Sequence, residues 1–289
     1  MTKPTNVSNP PDALPTPEFP IIADVPAFTA ARLQMHWAAQ ALSAWGLTIP
    51  DPQPDWSHMA VRYDLDKRVL HTLPAADGAR LELDLASATI SKRHHGVLEA
   101  IFELEGQPHD ALMAWAKEQT FQHAAGRPWD ERDADNMPDH PVGHGRAYKF
   151  DARARAELSA WFDAAAHHLN HLQTDYEHMG PVLCWAHHFD IATLRTLRKK
   201  GDTGARDAAI TIGTGMTPGD AEHAQPYWYV LPWPVPSTDA LPHLVVGTWH
   251  TQGWVGAKLD AHQLVAHTAE DLGAFLVGAH QACEQLLLQ

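Results

Sequence analysis

The period of the apolar residues switches from about four to two along this chain, and it does so twice in the same order. A stripe recurring every three to four residues suits a helix with one buried face, whereas strict alternation suits a half-buried strand. In residues 29–45, Leu33, Trp37, Ala41 and Trp45 mark the helical stripe, with Gly46 as the expected C-cap and Pro50 as the stop. Alternation follows. Met59, Val61, Tyr63 and Leu65 interleave with His58, Arg62 and Asp64, and Leu81, Leu83 and Leu85 with Glu82 and Asp84. Residues 69–73 and 97–104 read as further strands and 108–123 as a helix.

The second round opens with the strongest helical signal, residues 151–178, whose stripe runs through Leu158, Trp161, Phe162, Ala165, Leu169 and Leu172. Asp151 is the expected N-cap and Gly180-Pro181 the stop. Strands are predicted over 182–194, 208–214, 227–233 and 244–255, separated by turn signals at Gly201-Asp202, Pro218-Gly219-Asp220 and Ser237-Thr238-Asp239. A helix over 270–288 closes the chain. The fold class expected is α+β, with antiparallel sheets and helices packed on one face. The repeated order of helix, four strands and helix fits either a duplicated unit or coincidence. Residues 1–26 hold seven prolines and read as an extended or disordered lead-in, tacked down at Ile21 and Ile22. Residues 27–123 form the first half, 124–147 a loop or linker, and 148–289 the second half.

Composition narrows the function. With 21 Lys+Arg against 35 Asp+Glu the net charge is −14, which argues against a nucleic-acid or anionic-membrane surface. No apolar run approaches the ~20 residues that span a bilayer, and the N-terminus carries no signal-peptide core. Two cysteines fit a reducing, cytoplasmic setting. The chain has 21 histidines, and at pH 6 imidazoles titrating near their usual ~6.5 would offset much of the negative charge.

Three constellations carry potential chemistry. His167, His171 and His178 fall within one sector of the 151–178 helix, a weak metal-ligand pattern that competes with a plain solvated face. In the predicted strand Cys184-Trp185-Ala186-His187-His188-Phe189-Asp190, alternation places His188 and Asp190 on one face and Trp185 and His187 on the other. His188 and Asp190 are therefore the candidates for acid–base or metal-assisted chemistry. The third is the aromatic strand Tyr227-Trp228-Tyr229-Val230-Leu231-Pro232-Trp233-Pro234, bulky on both faces and so either core or a pocket wall. Trp185, His187, Tyr227, Tyr229, Trp233 and His250 are the expected ligand-binding residues. Gly213-Thr214-Gly215-Met216-Thr217-Pro218-Gly219 lacks the Gly-Lys-Ser/Thr of a phosphate loop and reads as a strand end and a turn.

The run Pro181-Val182-Leu183-Cys184-Trp185-Ala186-His187-His188-Phe189-Asp190-Ile191-Ala192 resembles a segment of a bacterial family catalogued as domain of unknown function five-nine-nine-six. The family's S-A-G-F-W-P-G and F-Y-A-Y-A-Y-P-E-P stretches resemble 213–219 and 227–234, and the order of elements corresponds over about 31–287. His187 and His188 stand where the family has Gly and Ser, whereas Phe189 and Asp190 agree with it. The resemblance implies an architecture and no reaction. The leading expectation is a small-molecule-binding protein with an aromatic pocket in its C-terminal half and no cofactor. A metal-assisted hydrolase-like enzyme and an acidic interaction module without a pocket are the alternatives.

Overall fold

A computed structural model describes residues 19–53, 56–131, 137–197, 209–265 and 269–288. The expected lead-in up to residue 18 and the Gly201-Asp202 turn lie outside the described residues. Two antiparallel sheets, of five and six strands, carry five α-helices among the described residues.

The first helix, α1 (Val25–Thr48), starts earlier than its stripe suggested. Asp24 caps it by accepting from the Ala27 amide at 3.0 Å, and Pro26 sits in the first turn, where a missing N–H costs nothing. Gly46 is inside the helix and does not cap it. A Cβ there would come within 2.6 Å of Met59 Cα, so this glycine permits close backbone approach. Before the helix, Phe19 packs on Trp161 and His168, with Ile22 against the core, while Ile21 stays exposed.

The first sheet is a meander of β1 (Arg62–Asp64), β2 (Val69–His71), β3 (Ala79–Asp84), β4 (Thr89–His94) and β5 (Val97–Glu103). β4 escaped the sequence reading because Lys92 occupies a core-facing position opposite Leu81. Its aliphatic stem is buried while its ammonium reaches Gln122 at 3.0 Å and Glu99 at 3.1 Å, which hides the alternation. Helix α2 (His109–Phe121) packs on α1, and 137–147 returns along α1, where Trp37 donates to the Pro138 carbonyl.

Helix α3 (Ala152–Asp175) is capped by Asp151 as its sequence predicts, but it ends before His178. The second sheet follows: β6 (Leu183–Trp185), β7 (Asp190–Leu197), β8 (Ile210–Thr217), β9 (Tyr227–Trp233), β10 (Thr248–His250) and β11 (Gly256–Asp260). The single strand expected over 182–194 is a hairpin, and β8 continues through Gly213 and Gly215. The stretch 244–255 yields only β10, with β11 beyond it inserted between β9 and β10. Helices α4 (Ala261–Val265) and α5 (Ala269–Leu288) finish the chain.

The two sheets meet edge to edge. Val61 and Cys184 exchange backbone hydrogen bonds of 3.0 and 2.7 Å, so β1 lies beside β6. Each half thus places its first strand at the centre and builds outward. The helices cover one face, burying Leu70, Leu81 and Ile90 from the first sheet and Ile212, Trp228 and Val230 from the second. Cys184 and Cys283 are buried free thiols. Among the described residues no helix is long and apolar enough to cross a membrane.

Candidate functional site

The uncovered face of the second sheet follows from strand register. Alternation in β9 sends Trp228 and Val230 into the core and Tyr227, Tyr229, Leu231 and Trp233 to the open face. Tyr229 lies opposite Gly215, and Gly215 lies opposite Ala192. A Cβ at 215 would stand 2.6 Å from Tyr229 Cζ and 2.8 Å from Ala192 Cβ. The glycine therefore leaves a trough through which the phenol crosses β8 to reach β7, where its hydroxyl donates to Asp190 Oδ2.

Asp190 reaches that face by a turn. The amides of His188 and Phe189 both donate to the Trp185 carbonyl, at 3.0 and 2.7 Å. Phe189 takes the left-handed conformation at φ 56°, which is unfavourable for an aromatic residue. Burial holds it there: Phe189 is 1% exposed, 5.4 Å from the His36 ring and 5.2 Å from that of Phe162. The turn inverts the predicted face assignment. Trp185 is paired with Asp190 on the open face, and Cys184 points to the core.

The Asp190 carboxyl is half-buried on this face. Its Oδ1 is shut off from solvent and takes no hydrogen bond from another residue. Desolvation pushes its pKa up, against the opposing pull of the Tyr229 hydrogen bond and of nearby His188 and His187. Burial, and then the charge of Asp190, hold the Tyr229 hydroxyl well above its usual range, so it remains a donor.

A cavity of about 500 Å³ opens over these groups. Trp185, Leu194 and Leu231 supply apolar wall, and Asp190, Tyr229, Arg62 and Thr196 supply polar groups. Thr193 also borders it, but its hydroxyl is committed to the Gly180 carbonyl at 2.7 Å. Arg62 enters from β1, across the junction of the sheets, and makes no ion pair or hydrogen bond among the described residues. A second cavity of about 440 Å³ continues the first, sharing Leu194, Gly213 and Leu231 and ending at Trp233 and Trp254. Leu194 is 47% and Trp233 55% exposed along this shelf.

Of the residues singled out in the sequence, Trp185, Asp190 and Tyr229 line the first cavity and Trp233 the second. His188 is exposed at the hairpin turn, its ring 4.1 Å from that of His187, and neither lines either of these two cavities. Tyr227 is turned aside, donating to Asp220 Oδ2 at 2.6 Å. His250 stacks on Trp254 at 4.1 Å, with its Nε2 2.6 Å from the Gln252 carbonyl, and so buttresses the shelf from behind. The stripe of His167, His171 and His178 is broken, because His178 lies past the end of α3 at φ 64°. Among the described residues, no group of three or more His, Cys, Asp or Glu is placed to hold a metal ion.

Sequence reasoning missed Arg62, which sits in the other half, and the trough at Gly213 and Gly215. Isolated glycines inside a strand pattern were the available signal for close approach. The histidine count also carries less charge than expected. Burial is the first cause lowering the pKa of His36, His71, His109, His140, His167, His168 and His280, reaching about 4 for His36 and His168 and about 3 for His280. The offset of negative charge therefore sets in at lower pH. No family model, curated protein or solved structure matches this chain.

Proposed function

We propose that this chain binds a small organic molecule on the open face of its second sheet. The observation that carries this reading is the cavity of about 500 Å³ in whose wall Asp190, Tyr229 and Arg62 stand among Trp185, Leu194 and Leu231. Apolar walls with a few convergent polar groups and a perturbed acid are the usual makeup of a ligand site. A metal-assisted reaction has less support, since among the described residues no group of three or more His, Cys, Asp or Glu around His188 and Asp190 is placed to hold a metal ion. The likeness to the bacterial family is equally our reading, carried by the 181–192 hairpin and the aromatic strand.

Gly213 provides the test. A Cβ there meets nothing closer than Leu231 Cβ at 3.8 Å and Leu194 Cδ1 at 3.9 Å, so Gly213→Val fills the junction of the two cavities without a backbone clash. Native mass spectrometry of the untagged chain, isolated from cells, should show an organic adduct that the variant lacks, with melting temperatures alike. An adduct retained in full by Gly213→Val would place binding elsewhere.

A further inference from the structure

Resting on the binding site proposed above, we infer that its ligand is an apolar monocarboxylic acid, with its carboxylate on Arg62 and its hydrocarbon part on the shelf that leads to Trp233. In this acid-rich chain Arg68, Arg80, Arg93, Arg127, Arg153 and Arg195 are each ion-paired. Arg62 lines the cavity and has no acid partner among the described residues. No nitrogen of its guanidinium is shut off from solvent, so its planar fork of donors is free to take a carboxylate. Asp190 is the other charged group of the wall, but it is already occupied: Oδ2 accepts from Tyr229 and Oδ1 is closed to solvent. Burial also pushes its pKa up, which weakens its repulsion of a bound anion. The charge that a ligand meets in this cavity is therefore positive.

Register carries the hydrocarbon part away from that charge. Val61 pairs with Cys184, so Arg62 on β1 stands beside Leu183 on β6, Leu183 pairs with Ala192 on β7, and Ala192 with Gly215 on β8. The next row of the open face is Leu194, Gly213 and Leu231. Three strand spacings across and two residues along put the Arg62 and Gly213 Cα atoms ~16 Å apart. The arginine stem spans part of that distance and the ligand the rest. Leu183 and Ala192 floor the interval, and Leu194 and Leu231 flank its end. Beyond it the second cavity adds Trp233, Val235 and Trp254, and among the described residues its wall holds no charged group. A charge at the far end of the ligand would be desolvated there without a partner, so the acid carries a single carboxylate.

The test is isothermal titration calorimetry on the full untagged chain, cleared of bound ligand by unfolding and refolding. Octanoate and 3-phenylpropionate are titrated beside 1-octanol and 3-phenylpropan-1-ol, which lack the carboxylate, octanedioate, which ends in a second one, and acetate, which has no tail. At least one of the two apolar acids should bind, with its alcohol at least about tenfold weaker, and octanedioate and acetate should be weaker than octanoate. Arg62→Gln should abolish the preference for acid over alcohol and Arg62→Lys should restore part of it, with unfolding curves confirming that both variants fold. Gly213→Val should weaken acid and alcohol alike. The inference is overturned if an alcohol binds as well as its acid, if acetate or octanedioate binds as well as octanoate, or if Arg62→Gln leaves the preference intact. Alcohol binding that Gly213→Val removes, without any preference for the acids, would defeat the inference and leave the binding site standing. If none of the probes binds, a native adduct identified by its mass as an apolar monocarboxylic acid supports the inference and an adduct of any other class overturns it. No heat from any of the probes, with no native adduct, would defeat both.

Discussion

The open faces of the two sheets use polar residues in opposite ways. On the first sheet, Glu82 is 3% exposed and surrounded by cations: Arg80 at 2.5 Å, Arg93 at 2.7 Å and Lys67 at 3.8 Å. Ser91 and Thr89 fill the remaining space, leaving a hollow of only about 100 Å³. On the second sheet the polar groups are few, and the walls are aromatic. Tyr229 holds Asp190 through one oxygen only, and Arg62 approaches without a partner of its own. One surface satisfies its charges internally and so contributes to stability. The other leaves Arg62 without a partner among the described residues in the wall of an aromatic-lined cavity, which is what a ligand can use. The lesson is that position in a repeated architecture does not make a site; unmet polar capacity beside a void does.

Four substitutions separate the two faces. Gly215→Val should have the largest effect, lowering stability by ~3 kcal/mol through overpacking and driving Tyr229 off Asp190. Denaturant unfolding would read the loss, and loss of the native adduct would report the displaced phenol. Glu82→Gln should cost ~2 kcal/mol, because it leaves buried cations short of their counter-charge, moderated by the partial exposure of Arg80 and Arg93. That variant should keep its adduct, and losing it would show that the two faces are coupled.

Asp190→Asn should have the opposite sign. A raised folded pKa means that the native state holds the proton more tightly than the unfolded chain. Stability is therefore lost as pH rises from the ordinary carboxylate range through the folded pKa, and stays lost above it. Asparagine avoids that loss and still accepts from Tyr229. The ligand-free variant should gain on the order of 1 kcal/mol at pH 8, and little at pH 4. An equal gain at both pH values would contradict an ionisation effect. Gly213→Val should change stability least, by less than ~0.5 kcal/mol, while abolishing the adduct.

Local pattern explains much of the candidate site. The aromatic strand was legible because alternation assigns Tyr229, Leu231 and Trp233 to one face wherever that strand pairs. Asp190 was legible as a residue type beside histidines, but its partners were not. Period-two reasoning put it with His188, whereas the hairpin puts it with Trp185 and Tyr229. Arg62 could not be found by any local rule, since it reaches the cavity only because β1 and β6 meet.

The sequence by itself determined the α+β class, the order of its main helices and strands, and the faces of its strongest strand. These depend on side-chain period and caps, which act within a few residues. Only the tertiary structure decided where the 183–197 segment folds back and what lies across from what. Phe189 accepts a left-handed backbone because rings from α1 and α3 bury it, and Tyr229 crosses β8 because the register brings Gly215 beneath it. Both outcomes rest on contacts between residues far apart in the chain, whose combined burial outweighs local preference.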